Sequence, residues 1–149
     1  MQIIGEYLFN HNQQTVWNLL MDPQAIAKAL PGVQQLVPID GEIDAWRADA
    51  QIDLATVRGH YGGEIRLSEQ SPIDSYRLAV KGIGQNSIFN GAALMRLSYD
   101  ADQQQTAVRW EAEVQVSGKL ASIGQQLVGV VANVMSKQFF QALDKQLPP

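Results

Sequence analysis

Two histidines, His11 and His60, are the whole imidazole supply of this 149-residue chain, and cysteine is absent. Thiolate nucleophiles, disulfides and cysteine metal sites are excluded, and two imidazoles do not make a His-rich metal cage. Nucleophilic catalysis needs a nucleophile, a base and an orienting group in contact. His60 shares strand parity with Arg58 and Glu64, which predicts a solvent-facing side chain, and His11 falls in a helix-capping loop. Glu111 and Glu113 stand two apart on the polar parity of a strand, as a solvated face does. The stretch Gly82-Ile83-Gly84-Gln85-Asn86-Ser87 lacks the third glycine of a dinucleotide fingerprint and sits between strands rather than before a helix. Neither a catalytic residue nor a metal or cofactor site is expected.

A different chemistry is written in the aromatic residues. Trp46, Tyr61, Tyr76, Phe89, Met95 and Trp110 share the apolar parity of successive strands, interleaved with the small residues Ala48, Ala50, Gly59, Gly63 and Ala112. One reading is a plain core. The other is a ligand cavity, because large rings beside missing side chains leave volume, and apolar clefts are the usual ligand sites. Buried Tyr and Trp also carry a polar tip that prefers a partner.

Composition narrows the field further. Charged residues are 17% and hydrophobic ones 46%, against about 25% charged in an average domain, so more apolar surface than usual must be covered by core or ligand. A net charge of −4 repels phosphate backbones, and no basic stripe runs along the sequence, so nucleic acid is excluded as a partner. The opening Met1-Gln2-Ile3-Ile4-Gly5-Glu6 has neither the basic region nor the apolar core of a signal peptide. No run of apolar residues reaches membrane-spanning length. A cytoplasmic protein is expected, built as one domain over residues 1–149.

The elements that position the aromatics follow from periodicity. Residues 2–9 alternate as a strand, with Ile3, Gly5, Tyr7 and Phe9 on one face. Asn10-His11-Asn12 and then Asp22-Pro23 cap two short helices, the second stopped by Pro31-Gly32. From 33 to 117 the period is two: a hairpin turns at Asp40-Gly41, a glycine-broken turn falls at Gly82 and Gly84, and Ser117-Gly118 ends the strands. Residues 119–147 read as one helix of roughly 40 Å at 1.5 Å per residue. Its inner face carries Leu120, Ile123, Gly124, Leu127, Val128, Val131, Val134, Met135 and Gln138, with Phe140, Leu143 and Leu147 opposite. Between Lys119 and Lys137 the helix has no charge, which is unusual for a surface helix. The expected fold class is α+β: a curved antiparallel sheet wrapped around a long C-terminal helix, with two short helices after strand 1. This is the helix-grip, START-like arrangement.

Particular residues also carry a family resemblance: the opening Phe9-Asn10-His11-Asn12 with Val16-Trp17 and Leu20-Met21-Asp22-Pro23, the break Ala29-Leu30-Pro31-Gly32, the run Gly118-Lys119-Leu120-Ala121 with Gly124 and Leu127, and Gln138-Phe139-Phe140. Together they resemble the carbon monoxide dehydrogenase G-subunit family of the START-like (polyketide cyclase and lipid transport) superfamily. The resemblance implies a small lipophile-binding protein, not a catalytic subunit, that carries quinone or an isoprenoid-like lipid and serves a molybdenum hydroxylase, with peripheral contact to the membrane.

The expectation is therefore a non-catalytic binding protein. Its ligand site is expected at Trp46, Tyr61, Tyr76, Phe89, Met95, Trp110, Gly124, Leu127, Val131 and Met135. The second stripe, Phe140, Leu143 and Leu147, reads either as packing or as a contact for a membrane or partner protein. Two alternatives stand beside the carrier. One is a polyketide cyclase or aromatase-like enzyme, for which parity supplies only Tyr61, Tyr76, Gln138 and Asn90 as inward polar groups. The other is an adaptor whose cavity has collapsed.

Overall fold

In the computed structural model, which describes residues 1–54 and 57–149, every strand predicted from the period-two pattern pairs antiparallel with its neighbours. Strand β1 (Gln2–Phe9) is followed by helices α1 (Gln13–Leu20) and α2 (Pro23–Ala29). Strands β2 (Val33–Pro38), β3 (Ala45–Ile52), β4 (Gly59–Ser71), β5 (Ser75–Gly84), β6 (Ser87–Asp100) and β7 (Gln105–Gly118) come next. A 3₁₀ turn (Lys119–Ile123) and helix α3 (Gln125–Asp144) complete the order. The sheet has seven strands in the order β1-β7-β6-β5-β4-β3-β2, so the first strand is recruited beside the last, with Gly5 opposite Trp110. This is the helix-grip fold.

The short helices start where their caps say. Asn12 Oδ1 accepts the Thr15 N–H at 2.8 Å, and Asp22 Oδ1 accepts the Gln24 N–H at 2.9 Å ahead of Pro23. They deliver Val16, Trp17, Leu20, Ile26 and Ala29 onto one end of the concave sheet face. There they meet Phe9, Trp46, Ile65, Leu67, Tyr76, Met95, Leu97 and Val108, with Phe140 and Leu143 from α3. A second, smaller cluster of Ile52, Val57 and Tyr61 lies toward the other end, packed by Phe89, Leu120, Ile123, Val131 and Met135.

Two expectations about turns and helix are corrected and one holds. The β2–β3 hairpin turns at Asp40-Gly41 as expected, with the Glu42 N–H on the Ile39 carbonyl at 3.2 Å. It does so inside a loop of residues 39–44 closed by the Ile39 N–H on the Ala45 carbonyl at 3.0 Å, with positive φ at Gly41 and Asp44. The β5–β6 turn falls on Gln85-Asn86, at φ 53° and 55°, the left-handed pair of a type I′ turn; Gly82 and Gly84 belong to β5. The predicted 119–147 helix is broken at Gly124, where φ is 89° and ψ 153°. That conformation is nearly confined to glycine. It separates the 3₁₀ turn, held to the β5–β6 turn by Lys119 N–H to the Asn86 carbonyl and Leu120 N–H to Ser87 Oγ, from α3. At 20 residues, α3 is about 30 Å long.

Candidate ligand cleft

Between the two clusters the concave face of the sheet is not filled. The inward positions of the middle strands carry Ala48, Ala50, Gly63, Gly91, Ala93 and Ala112, and α3 spans the gap above them, leaving an apolar cleft of about 410 Å³. The volume lies within the usual range for small-ligand pockets, about 300–1,000 Å³. α3 is fastened at its far end. Phe140 stacks on Trp110 with centroids 4.5 Å apart and on Tyr7 at 5.7 Å. The Tyr7 hydroxyl donates to Asp144 Oδ2 at 2.8 Å, and Gln146 Nε2 donates to the Ala25 carbonyl at 3.0 Å. Within α3 the buried residues are Phe140 and Leu143, and the preceding turns roof the cleft, touching the sheet through Val131 and Met135 at the Tyr61 cluster.

Six of the predicted ligand residues line this space: Tyr61, Phe89, Met95, Trp110, Val131 and Met135. Four do not. Trp46 and Tyr76 belong to the solid core at the end that α1 and α2 close, where Tyr76 meets Trp17 edge-to-face at 5.7 Å. Gly124 is exposed and has open space where a side chain would be, and Leu127 is 46% exposed on the outer surface. The reason is helical phase. A continuous helix from 119 would have carried Gly124 and Leu127 inward, but the break at Gly124 starts α3 on a new phase. Val128, Val131 and Met135 keep their expected place toward the cleft, Ala132, Ser136 and Phe139 join them, and Val134 and Gln138 are exposed.

The same phase corrects the second stripe. Phe140 is 3% exposed, Leu143 is fully buried, and Leu147 packs against the core. These residues are core rather than a free contact surface for a membrane or a partner, because α3 lies with this stripe against β1 and α2. Several lining residues were absent from the expected site: Ile26 on the buried face of α2, Leu30, Pro31 and Val33 around the Pro31-Gly32 break, and Gly91, Ala93 and Phe139. Gly91 and Ala93 had a legible signal, since they share the inward parity of Phe89 and Met95.

The cleft is chemically plain. Tyr61 donates its hydroxyl to the Val57 carbonyl at 2.7 Å, and burial raises its pKa. Ser136 Oγ donates to the Ala132 carbonyl at 2.8 Å. Glu64 and Lys81 touch the cleft only from strand positions whose side chains belong to the outer face. There Arg66 donates to Glu64 at 2.6 Å and, as the leading cause, this bond holds the Glu64 carboxyl below its ordinary value. Burial likewise pushes the Tyr76 phenol up. The residues open to an enzyme reading are dispersed: Tyr61 is engaged, Tyr76 is in the core, and Asn90 and Gln138 are exposed. His60 is exposed beside Gln51 Oε1 at 3.1 Å, and the His11 carbonyl accepts the Thr106 hydroxyl at 2.7 Å. Among the described residues, no group of three or more His, Asp or Glu side chains converges as a metal site would require, and no helix is long and apolar enough to cross a membrane.

Comparison with known proteins agrees with this architecture. A conserved protein from Geobacillus kaustophilus superposes with a TM-score of 0.91 at 29% identity, covering 98% of this chain and 94% of that one. A protein from Chromobacterium violaceum gives 0.72 at 15% identity, over 99% and 98% of the two chains. Ara h 8.0201 gives 0.72 at 12% identity, over 98% and 96%. These last two likenesses are of fold alone. Among curated proteins none matches the chain in sequence. A model of the carbon monoxide dehydrogenase G-subunit (CoxG) family matches residues 5–148. The helix-grip sheet, its roofing helix and this near-complete match place the chain in the carbon monoxide dehydrogenase G-subunit family.

Proposed function

We propose that the protein binds a small, neutral, lipophilic molecule in the cleft between the sheet and α3, and that it acts as a carrier or accessory protein rather than a catalyst. The observation that carries this reading is the cleft itself: about 410 Å³ walled by aliphatic and aromatic side chains, with the Tyr61 and Ser136 hydroxyls engaged by the chain's own carbonyls. A collapsed-cavity adaptor has no need of that space, and acid–base chemistry needs an inward group within reach of substrate. Burying about 300 Å² of apolar ligand surface is worth roughly 7 kcal/mol at about 25 cal/mol/Å². Association costs several of these, which leaves an affinity suited to release as well as capture.

Within that reading the ligand is a quinone or an isoprenoid-like lipid, and the partner is a molybdenum hydroxylase of the carbon monoxide dehydrogenase type. The family's name supports the partner, and the apolar lining supports the ligand class. The protein works as one cytoplasmic domain with peripheral access to membrane lipid. The test is an equilibrium titration with the neutral fluorophore N-phenyl-1-naphthylamine, followed by displacement with a decyl-substituted benzoquinone. Saturable uptake at one site and full displacement are expected. A chain that neither takes up the fluorophore nor binds the quinone is not a lipophile carrier.

A further inference from the structure

We infer, resting on the carrier reading above, that the cleft holds the hydrocarbon part of its ligand and leaves the polar head at the rim in water. A bound molecule exchanges water for whatever the wall offers, and a carbonyl, hydroxyl or charge taken inside needs a partner there. Tyr61 and Ser136 spend their hydroxyl protons on the Val57 and Ala132 carbonyls. The indole of Trp110 is stacked on Phe140, and its nitrogen edge lies against Gly5 of β1. Among the described residues, the remaining lining side chains are carbon, apart from the thioethers of Met95 and Met135 and from Glu64 and Lys81, which belong to the outer face of the sheet.

Such a wall discriminates by length and shape of hydrocarbon and is indifferent to the head. A quinone ring placed inside would have both carbonyls stripped of water and unpaired. A prenyl or alkyl chain placed inside loses nothing, and each methylene it buries tightens binding about fourfold. Selection among lipids with the same tail must then come from whatever the head meets outside the cleft.

The test is a set of binding titrations on the intact chain with compounds that vary tail and head separately. 2,3-Dimethoxy-5-methyl-1,4-benzoquinone is the head alone, and its 6-decyl derivative adds the tail. Decanol and decanoate keep the ten-carbon tail and replace the head by a neutral or a charged group. The tail is expected to tighten the quinone at least about 100-fold, the gain from burying three to four of its methylenes, and decanol and decanoate are expected to bind within tenfold of each other. A gain of less than tenfold from the tail, or a loss of more than tenfold on replacing hydroxyl by carboxylate, places the head inside and overturns the inference while leaving a lipophile carrier standing. Failure of all the tailed compounds and of N-phenyl-1-naphthylamine to bind overturns both.

Discussion

At the scale of single residues, the glycines separate space from conformation. Gly91 of β6 faces the cleft, and a side chain there would meet only Val114 Cγ2 at 3.8 Å and the Glu113 carbonyl at 3.9 Å, both ordinary contacts. Gly91→Leu therefore fills the cleft without straining the strand. Ligand titration should show at least tenfold weaker binding, about 1.4 kcal/mol, while thermal melting stays at or above the parent value because Leu suits a strand better than Gly. Gly124 is the opposite case. Space is open around it, but its φ of 89° and ψ of 153° penalise any side chain, so Gly124→Ala should cost about 1–3 kcal/mol of unfolding free energy by denaturant titration. At Gly129 the backbone is helical, and the nearest atom to an added Cβ is Met1 Sδ at 3.9 Å. Gly129→Ala should accordingly stabilise the chain by up to about 1 kcal/mol in the same titration and leave binding unchanged.

Among the elements, α3 carries two jobs along one helix. Its last turns are fixed by Phe140, Leu143 and the Tyr7–Asp144 hydrogen bond. Its first turns lean over the cleft with Leu127, Val130 and Val134 exposed. Helical hydrogen bonds beneath few buried contacts open locally more easily than those locked into a core. Native-state hydrogen exchange should thus be faster for amides 128–136 than for 140–144, and saturating N-phenyl-1-naphthylamine should narrow the gap by packing the underside of the first turns. Equal protection of both halves in the unliganded protein would mean that α3 packs as one rigid unit.

For the whole molecule, the alkaline limit of stability follows from buried phenols. Burial first, and then the hydrogen bond and charge of Asp144, raise the Tyr7 pKa to about 12 from 10.0, and burial also raises Tyr61 and Tyr76. A group whose folded pKa is raised favours the folded state while protonated. Its contribution is complete below pH 10 and disappears as pH climbs through 12. Denaturant unfolding should show stability falling across that window. Tyr7→Phe should make the fall shallower while costing about 1.5 kcal/mol at pH 7, the low end for a hydrogen bond to a charged group.

Local order was legible in the residues because it is written within a few positions. Period-two alternation placed β1 to β7, Asn12 and Asp22-Pro23 started the short helices, and inward parity placed Tyr61, Phe89, Met95 and Trp110 on the face that forms the cleft. Family membership was legible too, from motifs spread over the chain. What only the tertiary structure decided is phase and closure. Whether Gly124 sits inside a helix or breaks one depends on the anchoring of Lys119 and Leu120 to the β5–β6 turn more than thirty residues away, and that choice shifts the face α3 turns to the sheet, although Val131 and Met135 stay on it. It turned Leu127 outward and sent Phe140, Leu143 and Leu147 into the core. Whether an inward aromatic lines a space or fills one depends in turn on where the helices close the sheet: α1 and α2 bury Trp46 and Tyr76, while beyond their reach the same parity borders the cleft. Periodicity fixes the face a side chain points to, but the packing partner on that face is set by segments far away in the chain.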